Sequence, residues 1–338
     1  MFADDLVLFA EASEEQALII QDCLNKFSSM SGQKVNQAKS RILLSSNVDA
    51  RAATRISDII GIPCIEDLGK YLGVPTLSKR VTRATFQHIL DRVEKRLSGW
   101  RTKFLSLAGR VTLIRTTVAA IPAYTMQTCR LPRSVCDDLD RKIRRFLWAG
   151  TSGERKAHLV AWATVTRSVS EGGLGIPASR ELNSASMAKL GWRMLQEPEA
   201  LWVRVLRHHY CKGRLGIDTF TKHPTSSNLW RGICENQAIL QKGMAHSIGN
   251  GHHTLFWRHR WATTTPLMEL ASQQVPERDR AKTVADYWQP DTGWRWDELA
   301  ELLPDAIQGR VVAFQVYPTL TLNDSLFWGA TASGQFTI

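Results

Sequence analysis

The chain has 338 residues, with 43 Lys and Arg against 32 Asp and Glu, a formal net charge of +11 and a sequence pI of about 9.6. A basic excess of that size suits a polyanionic partner such as nucleic acid, and no run reaches the roughly eighteen apolar residues of a membrane span. Six cysteines without C-x-x-C spacing or a regular framework exclude a disulfide-stapled scaffold and point to a reduced, intracellular setting, nuclear or cytoplasmic.

The chain opens on Phe2-Ala3-Asp4-Asp5-Leu6-Val7-Leu8-Phe9, two adjacent carboxylates between short apolar, strand-prone runs. The apolar flanks predict two paired strands, and Asp tolerates the tight turn between them, so both carboxylates project from a hairpin tip. Carboxylate oxygens there suit Mg²⁺, a hard octahedral cation. The same pair also reads as an ordinary solvated turn, and a two-metal clamp draws carboxylates from more than one segment, of which this chain supplies one. Residues 14 to 30 predict an amphipathic helix with Leu18, Cys23, Leu24, Phe27 and Met30 at near-helical spacing and Gly32 as its stop. Residues 32 to 44 then read as a turn leading into a strand, and Gly69-Lys70-Tyr71-Leu72-Gly73-Val74-Pro75 follows.

From Lys79 to Arg145 there are 16 Lys or Arg against 5 Asp or Glu, so this stretch carries the whole formal excess and the remainder is neutral. Much of it predicts helix. Phe86, Ile89, Leu90, Val93 and Leu97 repeat along Thr85 to Leu97, while Arg92, Lys95 and Arg96 fall largely elsewhere on the wheel. Helices over Leu107 to Ile121 and Ser134 to Trp148 follow, after turns near Trp100 and Pro122-Ala123. A cationic face of this kind either tracks a phosphate backbone or is an ordinary solvated surface, and spacing alone leaves both readings open.

Beyond residue 150 the chain is rich in tryptophan: Trp162, Trp192, Trp202, Trp230, Trp257, Trp261, Trp288, Trp294, Trp296 and Trp328. Aromatic rings can stack on unpaired bases, but large aromatics at regular helical spacing favour core packing. Asn183 to Gln196, Glu199 to Tyr210 and Asn228 to Leu240 read as helices, and Ala245 to Ile248 with Thr254 to Trp257 as a hairpin around Gly249-Asn250-Gly251. Gly172-Gly173-Leu174-Gly175 lacks the Lys-Ser/Thr of a phosphate loop and reads as a turn. His208-His209 and His252-His253 cannot easily chelate one ion as adjacent pairs, because neighbouring side chains diverge on a helix or a strand.

Taken in order, these motifs resemble the reverse transcriptases of plant non-LTR (LINE-type) retrotransposons. The resemblance rests on the FADD segment, a helix, Gly32-x-x-x-Asn36-x-x-Lys39-Ser40 and Lys70-Tyr71-Leu72-Gly73-Val74-Pro75. It continues through Leu97-Ser98-Gly99-Trp100-Arg101, the run from Leu105 to Ile114, Phe146-Leu147-Trp148-Ala149-Gly150, Gly172 to Ile176, Ile248-Gly249-Asn250-Gly251 and Phe256-Trp257. It implies that Asp4 and Asp5 are the paired aspartates of the polymerase Mg²⁺ site, with Asp4 the expected direct ligand, and that Lys39 lies near the incoming nucleotide. It further implies that Tyr71, Leu72 and Gly73 belong to the turn that grips the primer. The basic helices become a thumb cradling an RNA/DNA template-primer duplex, with Arg92, Lys95, Arg96, Arg101, Lys103 and Arg110 as expected contacts.

In that family a further metal-binding aspartate and the fingers lie upstream of the hairpin. Met1 is therefore expected to be an internal methionine of a longer reading frame, and this chain is not expected to polymerise alone. Asp324 to Trp328 and Gly334 to Ile338 match the approach to a zinc-binding module that would begin where the chain ends, so no zinc site is expected. The expected fold is predominantly α with a small α+β part. It comprises a partial palm (1–75), a helical basic thumb (76–150), a Trp-rich connection domain (151–262) and an irregular tail (263–338). No membrane and no small-molecule cofactor are expected as partners. A non-catalytic nucleic-acid-binding module, or a decayed element without selected function, is the alternative.

Overall fold

Helix α1 (Glu14–Ser31) forms where the apolar spacing predicts it, and local chemistry sets both ends. The Ser13 hydroxyl accepts the N–H of Gln16 at 3.2 Å, and Gly32 takes φ 71° and returns its N–H to Ser28 O. Helix α2 (Ala50–Ile60) is closed in the same way, by Asp49 at its start and by Gly61 at its end. The computed structural model describes residues 5–77, 80–99, 104–148, 160–214, 216–318 and 322–338. The chain forms two compact units, Met1–His88 and Ile89–Ile338.

In the first unit α1 lies against α2 (Ala50–Ile60), and two short ribbons accompany them: β1 (Ile42–Leu43) pairs parallel with β2 (Cys64–Ile65), and β3 (Lys70–Tyr71) pairs antiparallel with β4 (Val74–Pro75). The strand expected over Leu6 to Phe9 is absent: these residues are irregular and exposed, Phe9 at 94%. They have no ladder to join among the described residues, and an unpaired strand leaves its amides to water. The preceding half of the expected hairpin, Met1 to Asp4, lies outside the described residues. Leu18, Ile19, Phe27 and Met30 of α1 are open, while Ala17 is buried and Ile20 and Leu24 are half-buried.

The second unit is predominantly helical. α3 (Gln87–Leu97), which begins at the boundary, buries Ile89, Leu90 and Val93 as its spacing predicts. α4 (Leu107–Leu113) passes through a π-helical segment, Ile114–Val118, into α5 (Ala120–Met126). Pro122, expected to mark a turn, is instead buried inside α5. Proline has no N–H and crowds the preceding turn, and the wider π segment immediately before α5 takes up both consequences without ending the helix.

α6 (Arg133–Trp148) and, after the short α7 (Trp162–Val165), α8 (Ser179–Gln196) form the centre. α8 packs against α5, α6, α10 (Asn228–Glu235) and α11 (Gln237–Gly243), while α9 (Leu201–Tyr210) follows it in sequence. Small buried residues, Ser179, Ser186, Ala188 and Gly191, let these neighbours approach. The Asp140 carboxylate of α6 accepts Ser179 N at 3.0 Å and so caps α8 from another helix.

Two asparagines clamp the backbone between α5 and α6. Asn183 accepts from Leu131 N and donates to Cys129 O at 3.0 and 3.1 Å, and Asn228 accepts from Arg130 N and donates to Arg130 O at 2.7 and 2.9 Å. Each side-chain amide replaces a strand partner.

Beyond α11, β5 (Met244–Ser247) makes no hairpin with Thr254 to Trp257. α12 (Leu267–Leu270), the β6 (Trp288–Gln289) and β7 (Gly293–Trp294) hairpin, α13 (Trp296–Leu299) and α14 (Asp305–Val312) intervene before β8 (Ser325–Trp328). β5 pairs antiparallel with β8, in register from Met244↔Trp328 to Ser247↔Ser325. The Gly-Asn-Gly turn is real but wraps a carboxylate of the β8 approach, described below, so it does not return the chain along β5.

Phe256, Trp257 and Trp261 share one core with Leu267, Val284, Tyr287, Trp294 and Val316. A boundary at residue 262 would cut through that core, so residues 263–338 are not an independent irregular tail. The second core gathers Trp192, Val203, Phe220, Trp230, Leu240 and Trp328. Tryptophan is core here: six of the ten beyond residue 150 are buried, and four of these donate their indole N–H, as where Trp257 Nε1 donates to Tyr287 Oη at 2.9 Å and Trp230 Nε1 to Thr221 O at 2.8 Å. The Gly172–Gly175 run is a turn. All four of its amides donate to backbone carbonyls of residues 165–169, which leaves none to cradle a phosphate.

Candidate nucleic-acid interface

Asp4, Arg101 and Lys103 lie outside the described residues. Asp5 is exposed, and Lys39 is exposed on a turn in which its backbone N–H meets Asn36 Oδ1 at 3.1 Å. Among the described residues no group of three or more His, Cys, Asp or Glu side chains is placed to hold a metal ion. Asp5, as a single exposed carboxylate, falls short of a two-metal clamp.

Tyr71, Leu72 and Gly73 sit in the β3–β4 hairpin, whose two loop residues both have positive φ, 50° at Leu72 and 80° at Gly73. That pattern is the type I′ turn, which matches strand twist and is normally filled by Asn-Gly. A leucine there is strained, because its Cβ crowds the backbone in the left-handed region.

Arg92, Lys95 and Arg96 are exposed on α3, as the wheel predicts, and Arg133 and Arg145 are exposed on α6. None of the five has a carboxylate partner among the described residues. Four acids of α3 and α6 are committed elsewhere. Glu94 pairs with Lys142, joining α3 to α6; Asp138 pairs with Arg141; and Asp137 takes Arg180 in a bidentate pair at 2.6 and 2.5 Å. The Asp137 hydrogen bond and charge raise the Arg180 pKa. Asp140 is turned inward onto Ser179 N and Trp162 Nε1 at 3.0 and 3.3 Å. Arg92, Lys95, Arg96, Arg133 and Arg145 thus form no ion pair among the described residues, which favours attraction of a polyanion.

Arg110 does not belong to that face. It is 8% exposed; Nε donates to Leu105 O at 3.2 Å, and one Nη donates to Phe146 O and Leu147 O at 3.4 Å each, with the guanidinium 5.8 Å from the Phe146 ring centroid. It satisfies carbonyls in the last turn of α6, where a cation also complements the helix dipole. Arg144 likewise turns over Trp162, 5.0 Å from the ring centroid.

Residues that organise this region escaped the sequence reading. Asp140 carried a readable signal: it lies on the same helical stripe as Cys136, Ile143 and Leu147, and a carboxylate on an apolar stripe needs an internal donor. Asn183 and Asn228 gave only the weaker signal of a polar amide near a helix start.

No protein-family model matches the chain. It is similar to a putative ribonuclease H protein of Arabidopsis thaliana, 34% identical over 267 residues, which cover 78% of this chain and 43% of that protein. This chain thus spans less than half the length of that relative. It is similar to an uncharacterized mitochondrial protein of Arabidopsis thaliana, 32% identical over 153 residues, covering 45% of this chain and 99% of that protein. It is also similar to the transposon TX1 uncharacterized 149 kDa protein of Xenopus laevis, 24% identical over 230 residues, covering 64% of this chain and 16% of that protein.

Proposed function

The chain belongs to the same family as the uncharacterized mitochondrial protein of Arabidopsis thaliana, and from that premise we propose that it is a retrotransposon-derived part of an RNA-directed DNA polymerase that holds a template-primer duplex. The observation that carries this reading is the row of exposed, unpaired cations Arg92, Lys95 and Arg96 on α3, with Arg133 and Arg145 on α6. Contacts from such a row reach phosphates and fix position without reading sequence. The transposon named by the Xenopus laevis relative supports the retrotransposon origin.

On this reading residues 1–75 correspond to part of a polymerase palm, with Lys39 facing the nucleotide and Tyr71 to Gly73 the primer, and residues 76–150 correspond to the thumb. Asp4 and Asp5 would be the Mg²⁺ aspartates of the parent enzyme. The described residues supply one of the two and no companion carboxylates, so the activity proposed for this chain is binding. The ribonuclease H named by the first relative belongs to a protein of which this chain spans 43%, and among the described residues no group of three or more His, Cys, Asp or Glu side chains is placed to hold a metal ion.

Fluorescence anisotropy of the full chain with a labelled RNA–DNA heteroduplex tests the reading. Affinity should fall steeply with salt, and the triple variant Arg92→Glu, Lys95→Glu, Arg96→Glu should bind more weakly, its salt slope lower by about one for each phosphate it no longer neutralises. Absent or salt-insensitive binding would sink the idea.

A further inference from the structure

A second set of unpaired cations lies at the C-terminal end of α9 and in the turn after it. Between Glu199 and Asp218 there is no Asp or Glu, while Arg204, Arg207, His208, His209, Lys212 and Arg214 fall in that interval. All of these are exposed except Arg207, which is half-buried. The helix ends in a reversal that gathers them. Cys211 and Gly213 both donate their N–H to Arg207 O, at 3.0 and 3.3 Å, and Arg214 N returns to Cys211 O at 3.0 Å. Lys212 at φ 50° and Gly213 at φ 79° make the turn, which folds Lys212 and Arg214 back to the end of the helix that carries Arg207 and His208. This end is held firmly: Tyr210 stacks on Trp230 at 4.6 Å and 7°, and its hydroxyl accepts Ser227 N at 2.9 Å.

Complementing the helix dipole does not account for the cluster. That effect is confined to the last turn, whereas these cations continue beyond it, and Arg204 and Arg207 repel one another at i,i+3. Some other exposed cations of this unit do sit on carboxylates, as in Arg180–Asp137, Arg193–Glu197 and Lys222–Glu235. Here Arg204, Arg207, Lys212 and Arg214 have no carboxylate partner among the described residues, and Lys212 occupies a backbone region that glycine or asparagine would adopt with less strain.

We propose that the end of α9 is a second phosphate-binding surface, at which Arg204, Arg207, Lys212 and Arg214 hold the backbone of a nucleic acid, in addition to the cationic face of α3. The proposal rests on the reading that this protein binds nucleic acid. A run of cations without interleaved acids suits a uniformly negative polymer, whereas an acidic protein surface brings cations of its own. Guanidinium groups also match phosphate geometry.

The test uses the full chain, anisotropy with a labelled RNA–DNA heteroduplex, and two variants: Arg207→Glu, Lys212→Glu, Arg214→Glu at α9 and the α3 triple reversal. The α9 variant should bind at least tenfold more weakly with a salt slope reduced by about two or three. If it binds with wild-type affinity and slope while the α3 variant is weakened, the α9 surface is overturned and the nucleic-acid reading stands. If wild-type protein fails to bind, both fall. Equal competition by polyglutamate at matched charge would assign the surface to acidic proteins and overturn the proposal. Should the reversal unfold the protein, Arg207→Gln, Lys212→Gln, Arg214→Gln gives the same comparison: a lower slope supports the proposal and an unchanged one overturns it.

Discussion

Asp324 accepts the backbone N–H of Gly249 through Oδ1 at 2.8 Å, across 75 positions of sequence. The same oxygen takes Gly251 N at 2.8 Å, and Oδ2 takes His253 N at 3.0 Å and the Thr254 hydroxyl at 2.8 Å. Two motifs far apart in the chain thus meet at one carboxylate, beside the β5–β8 ribbon. Its four donors hold the Asp324 carboxyl below the usual range despite opposing burial, the largest influence on it.

Replacing Asp324 with Ala strands those donors and should lower stability by about 2–3 kcal/mol, with Asp324→Asn losing less because one oxygen remains. The sign with pH follows from the lowered value: the carboxylate stabilises above its unfolded pKa of about 4, and that contribution is lost as pH falls through the folded value. Urea unfolding at several pH values should show the gap between wild type and Asp324→Ala narrowing below about pH 4. A gap independent of pH would refute the assignment.

Gly243 carries the other side of the same junction. A Cβ built there would lie 1.9 Å from the Trp328 ring, and Trp328 is buried edge-on against Trp192 at 5.5 Å. The indole cannot retreat without opening the second core, so Gly243→Ala should cost about 1–3 kcal/mol and alter the near-ultraviolet circular dichroism of the tryptophans. A wild-type spectrum and melting temperature would show that the ring yields freely.

How much of this was legible in the chain depends on range. Ser13 and Gly32 close α1 through bonds within a few residues, and those ends could be read directly. The burial of Trp192 and Trp230 followed from helical spacing and size, whereas Trp257, Trp261, Trp294 and Trp328 are buried outside helices, where that spacing gives no signal. The partner of β5 could not be read, because a four-residue strand has no local signal for a mate at residues 325–328, and the nearby Gly-Asn-Gly turn offered a false one. At the candidate interface, Arg92, Lys95 and Arg96 were legible because a helical wheel determines exposure. Arg110 was not, because its carbonyl partners on α6 lie 36 and 37 positions away.

Arg110 gives a prediction that separates structure from binding. Arg110→Met keeps the aliphatic stem but leaves the carbonyls of Leu105, Phe146 and Leu147 without their donor, and should destabilise by about 2 kcal/mol. The folded variant should retain the wild-type salt slope for nucleic acid, measured by anisotropy well below its melting temperature. A slope reduced by about one would return Arg110 to the phosphate-contacting set.

His246 and His259 stack with ring centroids 4.1 Å apart and planes within 5°. Burial pushes both down to about 4, reinforced at His246 by its stacked partner and at His259 by Arg258. The unfolded chain therefore binds protons that the folded one refuses. Stability contributed by the neutral pair is complete above the unfolded value of about 6.5, and declines as pH falls from there toward 4. His246 Nδ1 is buried without a partner among the described residues, so His246→Phe keeps a ring in the stack and removes that atom. At pH 7.5 this variant should match wild-type stability within about 1 kcal/mol. Between pH 6.5 and 4 its unfolding should take up about one proton fewer than that of wild type, seen as a shallower dependence of unfolding free energy on pH. An unchanged slope would mean that His246 is already protonated in the fold, and that the stack is not held neutral by burial.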